Sequence, residues 1–385
     1  MMMAADNGLK STGLHRPELL EWMNFVLRPQ LRIAPALLGV AFCLLQCGGD
    51  SAAGQAATPA RAISAAIPYP HWAAQHVYVG NSGNNSITVY GQYNNGNVRP
   101  ERTIAGPNTL INGPGQISVD RAGNLYVAST GTPAILVFAP GANGNVAPTR
   151  VIAGAATTLH NPSGMRVDPA TGDIYVVDND PADPWARLLR FAAWANGNVG
   201  PIAQTPAGSQ SFSPAFQIAF DSSGANLIEA HNETYPEELA WGIDTYRKDF
   251  RNGHAPNALY DIAALIVYGI ADDPSTQTYL ALSVGGNTPT GIIRFQENTV
   301  GQGQYYGPAK FTPPVVSRLQ TQRCGENLAL DDMRNIYVAA GSDCGSDSAA
   351  IVVYGPNATG MAAPLRRIAG PATNLDHPYG IDIGP

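Results

Sequence analysis

The chain repeats itself with a period of about fifty residues, and this repeat limits its possible folds more than any other feature. The clearest repeated element is an Asp, a turn containing Gly or Asn, and an apolar-Tyr-apolar strand, as in Asp120 to Val127. Its copies are spaced by 48, 49, 53, 51 and 58 residues and are centred on Tyr78, Tyr126, Tyr175, Ile228, Tyr279 and Tyr337. A repeat of this length indicates one supersecondary unit packed against copies of itself.

Three further elements recur between the copies of the first, in some or most of the units. A second apolar strand lies at 87–90, 135–138, 188–191, 292–295 and 351–354. The sequence Asn-Gly-Asn-Val lies at 95–98, 143–146 and 196–199, and Ile-Ala-Gly lies at 104–106, 152–154 and 368–370. Each unit therefore reads as four short strands separated by turns, which make one antiparallel sheet with two faces to bury.

Radial packing of such sheets buries both faces of each, and this arrangement is a β-propeller. Six units of about 52 residues fill 72–385, so we predict one all-β domain, a six-bladed propeller. The last residues, 378–383, match the innermost strand at 162–167, whereas the first copy, from His76 onward, has no innermost strand before it. We therefore expect the N- and C-terminal segments to pair and complete one blade, which leaves no open sheet edge at the seam.

The pattern Pro-x-Gly-apolar-x-Val-Asp, turn, Gly-Asn-Ile-Tyr-Val resembles the NHL repeat of six-bladed propellers. Residues 162–177 and 375–385 carry the resemblance best, and 114–128 carry it nearly as well. It covers 72–385 but weakens in the copy at 214–262. The short Ile-Ala-Gly element is similar to that of exported bacterial members of the group. The resemblance implies the fold and leaves function open, because such propellers include binding proteins, lyases and lactonases.

The N-terminal region, 1–47, has the pattern of an export signal. Its apolar run, Ile33 to Leu45, is too short to span a bilayer and follows two arginines, which is typical of a secretory signal that begins at Met23. The run ends at Cys47 in a sequence that resembles a lipoprotein lipobox, although Gln46 differs from the small residue usual there. A cleaved but unlipidated signal and an uncleaved anchor are the alternatives. We predict an exported protein, periplasmic or on the cell surface, attached to the membrane only through a lipid on Cys47.

Composition supports export and excludes one class of partner. Residues 48–71 are rich in Ala, Gly and Ser and predict a flexible linker. Cys324 and Cys344 are the two cysteines of the mature chain, and an even pair in an exported protein predicts a disulfide. The net charge is −7 without a basic run, which excludes a nucleic-acid footprint. We expect a monomer whose partner is an unidentified protein, peptide or glycan.

Unusual polar residues collect in the loops at the face where the innermost strands begin. Asp178, Asp180 and Asp183 offer hard oxygen ligands for Ca²⁺, or form a solvated acidic loop. His231 and Glu233 read as an acid/base or metal pair, or as ordinary surface residues. His160 and His377 precede the prolines that open two inner strands, near the tunnel mouth, either as ligands or as polar capping residues.

At the start of the inner strands the sequence predicts a neutral ring with one adjacent carboxylate, Glu326. The ring consists of Gln116, Gly164, Gln217, Gly269, Asn327 and Gly380. Amides hydrogen-bond a ligand but form a poor cage for a cation. Our first hypothesis is therefore a non-enzymatic binding module that uses the loop-rich face. The second is a lactonase- or lyase-like enzyme with a divalent ion held by Glu326, Asn327 and His160 or His377.

Overall fold

The structure is a computed structural model that describes residues 75–181, 186–205, 215–234, 239–250, 258–261, 267–283, 291–296, 315–321, 326–341 and 349–385. Within these ranges the secondary structure consists of short strands and 3₁₀ turns, the latter at Pro107–Thr109, Ala155–Thr157 and Pro371–Thr373. No helix in the described part of the chain is long and apolar enough to cross a membrane.

The strands form six four-stranded antiparallel sheets. Sheets 1 to 3 contain, in chain order, β1 (His76–Asn81), β2 (Ser86–Gly91) and β3 (Arg102–Ala105); β4 (Pro114–Val119), β5 (Leu125–Ser129), β6 (Ala134–Phe138) and β7 (Arg150–Ile152); and β8 (Pro162–Val167), β9 (Ile174–Asp178), β10 (Arg187–Phe191) and β11 (Ala203–Gln204). Sheets 4 and 5 contain β12 (Ala215–Phe220), β13 (Asn226–Thr234), β14 (Leu239–Arg247) and β15 (Ala258–Asp261); and β16 (Val267–Asp273), β17 (Thr278–Ser283), β18 (Gly291–Gln296) and β19 (Val315–Gln320). Sheet 6 contains β20 (Asn327–Leu330), β21 (Ile336–Ala340), β22 (Ala350–Tyr354) and β23 (Arg366–Ala369), and β24 (Pro378–Gly384) joins sheet 1.

The inner strands β24, β4, β8, β12, β16 and β20 contact one another in a closed circle, and each sheet extends outward from its inner strand. The predicted all-β propeller fold is therefore confirmed. Sheet 1 is completed as the sequence indicates, because β24 pairs with β1 from His76↔Gly384 to Asn81↔Pro378. The hydroxyl of Tyr78 also donates to the carbonyl oxygen of Pro385 over 2.7 Å.

The hydrophobic core lies between neighbouring sheets. One cluster joins Tyr78 and Val89 of sheet 1 to Ile117 and Leu136 of sheet 2, and similar clusters fill the other gaps between sheets. The alternating apolar residues of the repeats face these gaps from both sides of each sheet. Burial of both faces is the condition that excludes an isolated sheet and requires the ring.

Asn-Gly-Asn and Ile-Ala-Gly, two motifs that recur in the sequence, bind each other across the rim between sheets. Gly144 exchanges backbone hydrogen bonds with Thr103 and Ala105 of sheet 1, at 2.7 and 3.2 Å. The flanking Asn143 and Asn145 accept backbone N–H groups of Thr103 and Asn108. The same latch joins 196–198 to 151–156, and 95–97 to 367–372.

The Gly of Ile-Ala-Gly is required by this latch. Gly106, Gly154 and Gly370 adopt φ angles of 116°, 115° and 119°, a region that residues with a Cβ avoid. A Cβ at each would also lie 2.6 Å from the side-chain oxygen of the latching Asn. Sequence repetition at these positions therefore reflects a repeated junction between sheets.

Sheets 4 and 5 join their outer neighbours differently. Lys248 of sheet 4 pairs with Asp168 of sheet 3 over 3.0 Å, and its backbone oxygen accepts the hydroxyl of Tyr175. Arg334 of sheet 6 pairs with Asp273 of sheet 5 over 2.8 Å, beside a second pair between Asp273 and Arg294. The junction between sheets 5 and 6 keeps the backbone bonds of a latch, through Gly360, but Thr359 and Met361 stand where the latching asparagines would be.

Candidate functional site

The inner strands all begin at one end of the ring, here called the loop face. It is formed by the segments that enter inner strands, such as 106–113, 153–161 and 370–377, and by the connections between the second and third strands of each sheet. The opposite end, the turn face, contains the connections between the third and fourth strands of each sheet and the tight turns between the first and second strands, in which an Asp side chain binds the turn. In one of them Asp120 accepts the backbone N–H groups of Ala122 and Asn124.

The predicted neutral ring lies near the loop face, at one register of the six inner strands. Amide side chains and glycines alternate around it, and we call this row the amide level: Gln116, Gly164, Gln217, Gly269, Asn327 and Gly380. Gln217 and Asn327 are fully buried and reach sideways to the next inner strand. Gln217 accepts the N–H of Ile270 over 2.8 Å and donates to its carbonyl oxygen, and Asn327 donates to the carbonyl oxygen of Tyr379 over 2.9 Å.

These hydrogen bonds correct the expectation that the amides are offered to a ligand. Gln217 and Asn327 instead join neighbouring inner strands, and Gly269 makes room for the joint that Gln217 forms. At Gly269 a Cβ would lie 3.0 Å from the side-chain oxygen of Gln217. Gln116 has the same position on β4 and is also fully buried, but neither of its amide atoms has a hydrogen-bond partner among the described residues.

Glu326 lies on the loop-face side of the amide level, between two tyrosines. Tyr268, Glu326 and Tyr379 directly precede Gly269, Asn327 and Gly380 on three consecutive inner strands. Burial raises the pKa of Tyr379 well above its usual value, and the charge of Glu326 raises it further. Burial and then Glu326 raise the pKa of Tyr268 in the same direction. The tyrosines therefore stay protonated beside a carboxylate that is only 5% exposed.

Asp178 is a fully buried carboxylate that organises the loop entering β8. One of its oxygens accepts the backbone N–H groups of His160 and Asn161, both over 2.8 Å. The other accepts Arg187 over 3.0 Å and lies 3.2 Å from Nδ1 of His160. Arg187 also lies 2.8 Å from that Nδ1, while Nε2 of His160 lies 3.6 Å from Asp180. His160 thus stands between two carboxylates, with its ring 44% exposed at the loop face.

His160 and His377 are not equivalent, contrary to the expectation from sequence. His377 directly precedes Pro378 and has a left-handed φ of 47°, whereas His160 lies two residues before its proline. His377 contacts its own neighbour, Asp376, over 2.8 Å. Across the described residues, no group of three His, Cys, Asp or Glu side chains is arranged to hold a metal ion. Calcium therefore stays a prediction.

The sequence reasoning missed one buried ion pair on the inner strands. Arg166 of β8 is 1% exposed and donates to Ser118 of β4 and to Asp382 of β24, at 3.1 and 3.3 Å. Asp382 is fully buried and also accepts the backbone N–H of Val119. The equivalent residues of the other inner strands are Ala219, Ala271 and Ala329. This departure from the repeat was visible in the sequence, because charge replaces Ala or Ser at one register.

Several predicted residues fall outside the described part of the chain, namely Cys47, Asp183, Cys324 and Cys344. His231 and Glu233 lie on β13, and the structure describes only their backbone. The sequence suggested a loop through 231–242, but β13 and β14 instead continue as a hairpin, with pairs from Asn226↔Arg247 to Thr234↔Leu239.

This hairpin is longer than its counterparts. In sheets 2 and 3 the second and third strands stop pairing at the residue that also pairs with the inner-strand proline, Ser129 and Asp178 respectively. In sheet 4 the corresponding pair is Ala215↔His231, yet β13 and β14 pair for three residues more. The hairpin therefore projects from the loop face by roughly 10 Å before its turn, at about 3.3 Å per residue.

Comparison with known proteins identifies the fold only. No family model matches the sequence, and no curated protein matches it. A structure of a nidogen/laminin complex matches with a TM-score of 0.55 and 11% identity, covering 81% of this chain and 98% of that one. A protein of unknown function from Bacteroides caccae matches at 0.53 and 12%, covering 80% and 98%, and hydrazine synthase from Kuenenia stuttgartiensis at 0.50 and 11%, covering 72% of each chain. These similarities support a β-propeller.

Proposed function

We propose that this chain is a six-bladed propeller of the NHL-type group that binds a protein or peptide partner through its loop face, on the side of sheets 3 to 6. The observation that carries the proposal is the unequal length of the strands and connections at that face. Sheets 1 and 2 connect their second and third strands through the short turns 82–85 and 130–133. Sheets 3, 5 and 6 use the longer segments 179–186, 284–290 and 341–349, and sheet 4 projects its hairpin.

The turn face supports the same choice by contrast. Its turns repeat from sheet to sheet, and their Asp side chains are used within the turns, as at Asp120, Asp221 and Asp331. A contact that is repeated in this way stabilises the turns of the fold. Binding sites are formed where loops on a rigid scaffold depart from the repeat, and at the loop face sheets 3 to 6 all depart from the short turns of sheets 1 and 2.

Crosslinking in cells tests the choice of face. A photoreactive amino acid placed at Pro181, exposed on the loop face, should give a covalent adduct with a partner, whereas the same group at Arg121 on the turn face should give none. Thr132, exposed on the short turn of sheet 2, is the matched control on the loop face. Adducts formed mainly from position 121, or equally from all three positions, would contradict the proposal.

We further propose that the chain is exported and held at the membrane by a lipid on Cys47, with a disulfide between Cys324 and Cys344. The sequence patterns described above support these assignments. In cells fed a labelled fatty acid, the full chain should incorporate label and sediment with membranes. The Cys47→Ala chain should do neither, while Cys43→Ala, which changes the neighbouring cysteine, should behave like the unaltered chain. Equal labelling of the Cys47→Ala chain would exclude the anchor.

The metalloenzyme alternative predicts a bound divalent ion at the tunnel mouth. Elemental analysis of the full chain, purified without chelators, tests it. About one calcium or zinc per chain that is lost in Glu326→Gln would favour the enzyme and reject a purely binding role. The proposed function predicts that the purified chain contains no stoichiometric metal.

A further inference from the structure

We propose that the turn face of sheets 6, 1, 2 and 3 lies against the membrane surface, where Tyr93 and Trp194 insert their rings among the lipid headgroups. The inference rests on the proposed lipid at Cys47 and adds the side of the domain that the membrane meets. In these four sheets, all turn-face connections lie within the described residues.

The chain enters the domain at this face. The inner strand β24 runs from the loop face to the turn face, and His76, at the start of β1, pairs with Gly384 at its end. Gln75, which precedes β1, accepts the backbone N–H of Gln92 at its backbone oxygen over 3.1 Å. Its side-chain oxygen accepts the N–H of Asp332, in the tight turn of sheet 6, over 3.2 Å. The segment proposed to carry the lipid is therefore joined to the domain at the turn face.

Two aromatic side chains are exposed at the turn face, Tyr93 in sheet 1 and Trp194 in sheet 3. Their exposed fractions are 69% and 81%. Each is the third residue of a four-residue turn at the end of the third strand of its sheet. The same turn in sheets 2 and 6 has Gly141 and Asn357 at this position. The fold therefore does not require an aromatic residue there, and the two rings are available to contact another surface.

The backbone that carries Trp194 is held in place. Arg150 of sheet 2 donates hydrogen bonds to the carbonyl oxygens of Ala193 and Ala195, over 2.8 and 2.9 Å. The N–H of Ala193 donates to Asp173 over 3.1 Å. A ring on a fixed backbone loses little conformational freedom when it inserts, so less of the free energy of its burial is spent on ordering the chain.

The arrangement favours a lipid surface over a protein partner. The residues that dominate a protein interface cluster near its centre, whereas Tyr93 and Trp194 are separated by the whole of sheet 2. A membrane surface can contact both rings at once because it is continuous. Tyr and Trp are also enriched at membrane–water interfaces, since each combines an apolar ring with a polar group.

Photocrosslinking in cells fed a labelled phospholipid precursor tests the orientation. A photoreactive amino acid at position 93 or 194 of the full chain should give a labelled lipid adduct. The same group at Leu110 or Thr132, both exposed on the loop face, should give none. Equal lipid adducts from the two faces, or none from positions 93 and 194, would overturn the proposal. A protein adduct at position 194 in place of a lipid adduct would overturn it as well.

Alanine variants test whether the rings themselves hold the turn face at the membrane. The reporter is a photoreactive group at Met333, which is 51% exposed in the tight turn of sheet 6. Its lipid adduct should fall about threefold when Tyr93→Ala and Trp194→Ala are combined. Leu110→Ala is the matched control and should leave the adduct unchanged. The urea midpoint should be the same in all of these chains, because the altered side chains are exposed. An undiminished adduct in the double variant would reject the role of the rings.

Fatty-acid labelling of Cys47, measured in the same cells, separates this inference from the proposed anchor. A labelled Cys47 with lipid adducts spread equally over both faces would overturn the orientation and leave the anchor in place. Lipid adducts confined to positions 93 and 194 without any label on Cys47 would reject the anchor and support the orientation.

Discussion

Adjacent sheets are joined by different interactions in the two halves of the molecule, sheets 1 to 3 and sheets 4 to 6. The junctions of sheets 1 to 3, and of sheet 6 with sheet 1, use Asn-Gly-Asn latches made of neutral groups and backbone. The junctions of sheet 3 with sheet 4 and of sheet 5 with sheet 6 use the pairs Lys248–Asp168 and Arg334–Asp273, the second beside the backbone hydrogen bonds of Gly360. The latches repeat in the sequence and the ion pairs do not.

The difference shows at which junctions the loop sequences are less constrained. A latch needs Asn-Gly-Asn on one sheet and a left-handed Gly on the next, so it limits both loops. An ion pair needs only two side chains of opposite charge and leaves the rest of the connection free. Sheets 1 and 2 share a latched junction and have short loop-face turns. Sheets 3 and 6 are latched on one side only and have long connections, and the long hairpin belongs to sheet 4. The same freedom makes the ion-paired junctions dependent on charge, which gives four ways to test the comparison.

The largest effect is expected from Asp273→Ala. Asp273 is fully buried and binds Arg294 and Arg334, and removal of one member of a buried pair leaves charge without compensation. We expect the free energy of unfolding to fall by about 3 kcal/mol in urea titrations. Asp120→Ala removes the equivalent turn residue of sheet 2, which accepts hydrogen bonds from Ala122, Asn124 and Tyr126 of its own sheet, and should cost about 1 kcal/mol. Similar losses for the two variants would remove the distinction between the junctions.

At a latched junction, Gly154→Ala should cost about 2 kcal/mol, because alanine is strained at a φ of 115° and its Cβ meets Asn198. Gly141→Ala is the matched control, since Gly141 also has a positive φ of 74° but has open space around it. Its cost should be about 1 kcal/mol. If thermal unfolding shows the two alanine variants to be equal, the contact with Asn198 does not contribute.

Acid should weaken the ion-paired junction selectively. Burial opposes ionisation of Asp273, but hydrogen bonds from Arg334, Arg294 and Ser275 prevail and lower its pKa from 3.8 to about 2. A folded-state pKa below the unfolded value means that the stabilisation is complete above pH 4 and is lost as the pH falls towards 2. Relative to Asp273→Asn, the unaltered chain should lose about 1.5 kcal/mol between pH 6 and pH 2.5. Parallel pH profiles for the two chains would contradict this assignment.

The smallest effect is expected at Lys248, whose side chain is 23% exposed. Lys248→Met keeps the apolar stem near Phe220 and removes the charge, so we expect a loss of about 0.5 kcal/mol that shrinks in 0.5 M salt. Asn198→Ala, at a latch, should cost about 1 kcal/mol at either salt concentration. Salt dependence of the Asn198→Ala effect, and not of the Lys248→Met effect, would reverse the comparison.

The sequence predicted the register of the candidate site residues but not the direction of their side chains. The inner-strand register was readable from the repeat, so Gln116, Gln217 and Asn327 were assigned to one row before the structure was known. The direction of their side chains was not readable, because it depends on hydrogen-bond partners on the next inner strand, Ile270 for Gln217 and Tyr379 for Asn327. The equal treatment of His160 and His377 was wrong, because the two loops place their prolines differently relative to the histidine.

The sequence by itself determined the β-propeller, the pairing of β24 with β1 and the residues that line each inner strand. These follow from periodicity, since apolar strands repeated at one spacing have few ways to bury both faces. Only the tertiary structure decided which motifs meet across the rim, which charges pair and how far the sheet 4 hairpin extends. Those features join residues of different repeats, as Arg166 joins Asp382. A repeat shows which residues recur or depart from it, but it does not show which of them contact each other.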